Sequence, residues 1–217
     1  AKVIDGYCEI WVGCQSPLSF RKSVADALGF ELEKVTLHNC LMGGGFGRKS
    51  RPDYAIQAAQ IALKIGRPVQ LIWTREEDVR QDFYRPAILS KFRGGLDTKG
   101  NLSAWQNTYV DKHEPHEAAQ IPYEVPSMDI GHVSSPTHIP FGAWRSVAHS
   151  HHGFFTESFI DEVAVAAGQD PYEYRLDRLK HLPRQFAVLK KAAFMANWAK
   201  ELPRGRGRGI SFQTSFG

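Results

Sequence analysis

The apolar positions change period several times along the chain, and each change marks an element. Tyr7–Gly13 alternates and is rich in β-formers, which predicts a strand. Ser16 and Pro17 follow as an N-cap and a proline at the first helical position. Leu18, Val24, Ala25 and Leu28 then share one face and Gly29 stops the run, so a helix is expected over Pro17–Leu28. Val35–Leu41 reads as a second strand. Ile56, Ala59, Ile61 and Leu63 place a helix over about Pro52–Lys64, closed by Gly66 with Pro68 beyond. Val69–Trp73 has the length and composition of a short buried strand. Leu89–Leu96 and Leu102–Val110 form a β-hairpin joined by Asp97–Asn101.

The second half is less regular. Lys112–Pro140 carries Pro115, Pro122, Pro126, Pro136 and Pro140 and reads as a long loop, a kind of segment that is often functional. Gly153–Ala167 is a helix ended by Gly168; Pro171 opens another and Gln185–Leu202 is a third. The run Arg204–Gly209 leads into strand-like Ile210–Phe212. Strands and helices in mixed order predict an α+β fold of two layers, with mixed and antiparallel sheets flanked by helices. The pattern divides into two β-α-β lobes, about 1–70 and 71–217.

Composition narrows the class. At 217 residues with 42% hydrophobic and 23% charged, the chain can bury a core and is not a disordered tail. A net charge of +4 suits an anionic cofactor or partner without demanding one. Three cysteines, Cys8, Cys14 and Cys40, with no CxxC, argue against a disulfide framework or a thiolate metal site and read as buried thiols. No apolar run is long enough to span a bilayer, and no signal peptide pattern opens the chain. Both ends lie in or near strand-like stretches and look internal to a longer polypeptide.

Three features carry chemistry. Gly43-Gly44-Gly45-Phe46-Gly47-Arg48-Lys49-Ser50 sits between a strand and a helix, where consecutive free N–H groups form an anion-binding concavity. It is neither a Walker loop, since Arg48 stands where that motif needs glycine, nor a dinucleotide fingerprint, since that spacing fails at Arg48 or Ser50. Gln15 lies at a strand end, where a side-chain amide can donate to an oxygen ligand. Arg145, in Phe141–Val147, sits at a loop-to-helix junction suited to holding an anion. The histidine groups, His113 with His116 and His149-Ser150-His151-His152, contain no HExxH and read as surface and helix-entry residues, so no metal ligand is expected among them.

Taken together, Gln15, the Gly43–Gly47 loop with Phe46, and Arg145 resemble in order and spacing the large subunit of molybdenum hydroxylases, the xanthine dehydrogenase and aldehyde oxidase superfamily. Gln81–Pro86 and Trp144-Arg145-Ser146 look most like the branch that holds the isoquinoline 1-oxidoreductase beta chains. The resemblance covers nearly the whole chain and makes residues 1–217 part of a molybdopterin-binding region. It implies oxidation of an aldehyde or an N-heteroaromatic with a water-derived oxygen. It also implies molybdenum–molybdopterin cytosine dinucleotide as cofactor, and electrons leaving to two-iron two-sulfur clusters of a small partner subunit. Gln15 and Arg145 would serve the metal pocket, and Gly44, Gly45, Phe46 and Gly47 would complete the cofactor contact, with the N–H groups of Phe46 and Gly47 facing the metal ligands.

Purine-oxidising relatives carry glutamate at the position of Ser50 and phenylalanine at that of Val147, so a purine substrate is not expected. The family's catalytic base lies outside this chain, which implies that the piece alone is inactive and needs the remainder of the large subunit. Members of the branch are bacterial and periplasmic or cytoplasmic, the resemblance favouring the periplasm. Two other readings stay open: a basic nucleic-acid module using the Arg-Gly tail, against which Glu76-Glu77-Asp78 interrupts a continuous basic face, and a cofactor-free structural domain.

Overall fold

The computed structural model describes residues 1–111 and 116–216, which fall into two compact units. The first comprises 1–86 and 138–145, the second 87–137 and 146–216. The division therefore falls after Pro86 rather than near residue 70, and the first unit takes back a short segment from the second half of the chain. That segment is held by backbone: Tyr84 N–H donates to Pro140 O at 3.0 Å and Gly142 N–H to Tyr84 O at 3.1 Å.

In the first unit, β1 (Lys2–Ile4) and β2 (Tyr7–Val12) are antiparallel and β3 (Val35–Asn39) is parallel to β2, giving the order β1-β2-β3. Asp5 and Gly6 both adopt positive φ (50° and 77°), the two-residue turn that matches the twist of a hairpin. α1 (Pro17–Leu28) is the crossover between β2 and β3 and ends on left-handed Gly29, as its sequence predicts. α2 (Asp53–Ile65) ends likewise on Gly66. The alternation in β2 sends Cys8 and Ile10 under these helices and leaves Tyr7 and Trp11 exposed on the opposite face. α2 buries Ala55, Ala58, Ala59 and Ala62, small residues that let its backbone come close to the Phe20–Val24 surface of α1.

Val69–Trp73 is not a strand. Val69 exchanges two 2.8 Å hydrogen bonds with Ala1, and the ladder goes no further. A helix absent from the sequence reading, α3 (Arg75–Gln81), follows, capped by the Thr74 hydroxyl accepting the Glu77 N–H. Its acidic first turn, Glu76-Glu77-Asp78, suits the positive end of the helix.

In the second unit, β4 (Leu89–Leu96) and β5 (Leu102–Asp111) make the expected hairpin. Its turn is closed by Asp97, whose carboxylate accepts the N–H groups of Lys99 and Asn101. The long loop expected to Pro140 in fact contains β6 (Ser127–Ser134), parallel to β5. Its sequence, SMDIGHVS, has too little apolar alternation to announce a strand. No second β-α-β unit results, because α4 (His149–Ala166), α5 (Pro171–Arg178) and α6 (Pro183–Met195) all follow the sheet. The core joins Trp105, Phe92, Ile160, Tyr174 and Leu189, with Phe92 stacked on Phe159 at 5.0 Å.

Ile210–Phe212 is not a strand either. Its apolar side chains pack on this core, and Phe212 N–H donates to Glu157 at 2.7 Å. Glu157 also accepts from Tyr123 OH at 2.9 Å and from Arg175 Nε at 2.9 Å, while Arg175 reaches Asp161 at 2.6 Å. Both Glu157 and Arg175 are buried. Burial pushes the Glu157 carboxyl up, and Arg175, the Phe212 N–H and Tyr123 pull it back.

Two expectations about single residues change. Cys40 is exposed, its Sγ near His38 O, whereas Cys8 and Cys14 are buried. His149 and His152 are buried rather than superficial, because the helix begins at His149, four residues before the apolar pattern suggests. His113 and the His116 side chain lie outside the described residues. Among the described residues no helix is long and apolar enough to cross a membrane.

Candidate functional site

Parallel strands leave their loops at the same sheet end, so the segments after β2 and β3 are neighbours. Gln15 follows β2 and the glycine run follows β3. Gln15 N–H donates to Lys49 O at 2.9 Å, and Gly47 N–H donates to Gln15 Oε1 at 3.0 Å. With its oxygen engaged, the amide presents its NH₂ as the donor end. This differs from the sequence expectation in one respect. The Gly47 N–H is taken by Gln15, while that of Phe46 donates to no described residue.

The glycines are needed for contact. A Cβ on Gly45 would lie 2.3 Å from Gln15 Oε1, and one on Gly44 2.7 Å from the Phe46 ring. Gly47 has φ 91°, and a Cβ there would stand 2.4 Å from Ala143 O. Phe46 itself adopts φ 52° and is 57% exposed. Arg145 N–H donates to Phe46 O at 2.8 Å, and its guanidinium lies 6.0 Å from the centre of the Phe46 ring. Gln15, Gly44, Gly45, Phe46, Gly47 and Arg145 are thus brought together in the first unit. Directly after Arg145, Ser146 (φ 69°) and Val147 (φ 47°) are left-handed in succession. For a β-branched residue that conformation is strained, and such strain gathers at functional positions.

Sequence reasoning missed what holds this loop. Arg48, the residue that spoils both phosphate motifs, forms a two-point ion pair with Asp53 (3.0 and 2.8 Å) and a further ion pair with Asp82. Its guanidinium also lies 5.2–5.7 Å from the ring centres of Tyr54, Trp73 and Phe83. Burial opposes its charge, but the two carboxylates more than offset this and raise its pKa. Ser50 closes the turn by donating its hydroxyl to Gly47 O at 2.6 Å. The Arg48–Asp53 spacing is visible in the sequence; the approach of Asp82 and Phe83 is not.

Beside the loop lies a cavity of about 320 Å³ reaching from Phe46 to Arg51, Arg85 and Trp144. In the second unit, His152 is fully buried and neither of its ring nitrogens has a hydrogen-bond partner among the described residues. Burial, with His151 and His149 close by, pushes its pKa down to about 4 against the opposing pull of Asp111. Among the described residues no group of three or more acidic, cysteine or histidine side chains is arranged to hold a metal ion.

A site made of one side-chain amide donor, an unengaged backbone N–H and glycines cleared of Cβ atoms is suited to an oxygen-rich group pressed against the loop. Comparison with known proteins agrees with that chemistry. Residues 1–179 match the model of the molybdopterin cofactor-binding domain. The chain is 28% identical over 215 residues to the beta chain of isoquinoline 1-oxidoreductase from Brevundimonas diminuta, covering 90% of this chain and 28% of that protein. It is 27% identical over 189 residues to aldehyde oxidase 2 of Rattus norvegicus, with 80% and 14% covered. Among solved structures, quinoline 2-oxidoreductase from Pseudomonas putida 86 superposes with a TM-score of 0.75 at 20% identity, over 88% of this chain and 28% of that one. The chain spans less than a third of the length of each of these proteins.

Proposed function

This chain belongs to the molybdopterin cofactor-binding domain family, and from that premise we propose that it forms one wall of the metal pocket of a molybdenum hydroxylase. The observation that carries this reading is the Gln15–Gly47 hydrogen bond, which fixes the Gln15 amide with its NH₂ as the free donor beside the Phe46 N–H. Both donors suit oxygen ligands of molybdenum, and the glycines leave room for them. When bound, the molybdenum cofactor supplies two-electron oxidation of a substrate carbon with oxygen from water.

The chain's own residues bind and orient. Gln15 would donate its free NH₂ to an oxygen-rich group seated against the loop, the Gly44–Gly47 backbone leaves room beside that group, and Arg145 would hold negative charge at the pocket edge. The proton-accepting base belongs to the remainder of the large subunit. The cofactor is taken in its cytosine dinucleotide form, and electrons pass to two-iron two-sulfur clusters in a small partner subunit. The substrate is an N-heteroaromatic or an aldehyde; Ser50 and Val147 argue against purines. The periplasm is the favoured location, and nucleic acid is not a partner.

The test is molybdenum content, by elemental analysis, of the full-length large subunit co-expressed with its small partner in a host that assembles the cofactor. The same preparation is assayed on aldehydes and N-heterocycles beside Gln15→Ala. Stoichiometric molybdenum in both, with turnover lost in the variant, supports the assignment. A well-folded complex without molybdenum refutes it and leaves a structural role.

A further inference from the structure

Charge is distributed unevenly along the chain. Nine of its lysines and arginines fall within residues 178–208, against the single carboxylate of Glu201. That surplus of eight leaves the rest of the chain net negative, since the whole carries +4. Lys180 pairs with Asp177; among the described residues the other eight cations have no carboxylate partner. Arg175, just before this stretch, is held by Glu157 and Asp161.

α6 displays part of this charge beside apolar side chains. Its Leu189 and Ala193 are buried, and Leu182 and Phe186 pack on the core of the second unit. The opposite face carries Val188, Lys191 and Met195 on successive turns, with Phe194 alongside. Val188 is 54% exposed, Phe194 75% and Met195 71%. The Lys191 ammonium lies 5.5 Å from the centre of the Phe194 ring, and that of Lys190 6.0 Å from the Phe186 ring. Both four-carbon stems thus run along apolar surface and leave their charged heads without a carboxylate. Beyond the helix, Arg208 donates to Lys200 O at 2.5 Å and closes residues 200–208 into a loop that carries Lys200, Arg204 and Arg206. In chain order, Phe194 and Met195 sit between the two groups of cations.

We propose that the outer face of α6 and the 200–208 loop docks peripherally on an anionic lipid surface. Val188, Phe194 and Met195 enter the headgroup boundary, and the flanking lysines and arginines meet lipid phosphates. Two features favour lipid over an acidic protein. Lysine is depleted from the cores of protein interfaces, whereas Lys190 and Lys191 stand beside the exposed apolar residues, as cations do on a helix lying in a bilayer interface. An anionic surface also attracts every cation near it without matched geometry, which suits eight charges spread over a helix and a loop.

The experiment is sedimentation of the full-length large subunit, with its small partner, in the presence of vesicles. One set is phosphatidylcholine alone; the other is equal parts phosphatidylcholine and phosphatidylglycerol. The complex sediments with the anionic vesicles only, and less so as salt is raised. Lys190→Gln with Lys191→Gln lowers the partition coefficient at least roughly tenfold, and Phe194→Gln with Met195→Gln by roughly the same factor. Both double variants keep the parent's thermal midpoint, because all four side chains lie outside the core. Failure to sediment with anionic vesicles, equal sedimentation with neutral ones, or undiminished binding of either variant overturns the proposal. In the complex without vesicles, Lys190 and Lys191 react freely with an amine-directed acetylating reagent. Shielding of both would mean that the remainder of the large subunit or the small partner covers this face, which overturns lipid as its occupant. Vesicle binding is read without turnover, so the metal assignment stands or falls separately.

Discussion

Gln15 Oε1 accepts the Gly47 N–H at 3.0 Å across 32 residues of chain, so the orientation of one amide and the path of the glycine loop are set by the same hydrogen bond. Replacing that amide separates its two ends. Gln15→Glu keeps an acceptor for Gly47 and removes the NH₂ donor, so thermal stability stays within about 1 kcal/mol of the parent. Turnover of the molybdenum-loaded complex falls by roughly 100-fold, the scale of losing one donor to developing charge. A variant that unfolds early, or one that keeps full turnover, contradicts this division of labour.

Gly45→Ala tests the close approach from the other side. The new Cβ would lie 2.3 Å from Gln15 Oε1, so either the amide or the loop moves. The expected cost is about 1–3 kcal/mol, with faster hydrogen exchange at the Gly47 amide. Unchanged protection of that amide would show that the contact relaxes freely.

Arg48→Met leaves Asp53 and Asp82 facing each other inside the ring of Tyr54, Trp73 and Phe83. These groups are about a quarter exposed, so solvent screens part of the loss and the destabilisation is about 1–3 kcal/mol by urea unfolding. Arg48→Lys recovers little, since an ammonium cannot make the two-point pair and lie flat against the rings. Full recovery by lysine would mean that charge alone matters.

The ion pair of the second unit is buried more completely. Arg175→Leu strands Glu157 among Tyr123 and the Phe212 N–H and costs about 3–5 kcal/mol. Adding Glu157→Gln to that variant recovers a large share, because no buried charge is left unpaired. Additive losses in the double variant would refute the pairing argument.

His152 makes stability depend on pH. Burial holds its folded pKa near 4, below the unfolded value of 6.5. The unfolded chain therefore takes up the proton first. The contribution is fully present above about pH 6.5 and is lost as pH falls toward 4. His152→Leu flattens the denaturation midpoint across that window. An equally steep acid limb in the variant would assign the effect to other groups.

Much of the first unit was legible because its signals are local. The proline at the start of α1, glycines at the ends of α1 and α2, and alternation in β2 each act within a few residues. The glycine run could be recognised as a place of close approach without knowing what approaches. What stayed hidden depends on distant partners. β6 is a strand because β5 offers it a ladder, not because its own sequence alternates. Val69–Trp73 has strand composition, but among the described residues its backbone pairs only through Val69 with Ala1. His152 is buried by Tyr109 and Phe155 and not by any pattern around it. Arg48 looked like a broken phosphate motif because Asp82 and Phe83 lie more than thirty residues away.

The parallel pairing of β2 with β3 also has a kinetic meaning. α1 and α2 can form from neighbours in sequence, but the Gln15–Gly47 bond spans 32 residues and the Ala1–Val69 pair 68. Contacts of such high order wait for loop closure, whose entropy is lost before they contribute. The donor pair at Gln15 and Phe46 is therefore assembled late, after helicity is regained. In refolding, recovery of the far-ultraviolet helical signal comes before recovery of the loop, and a chain halted at that stage is helical and has no site.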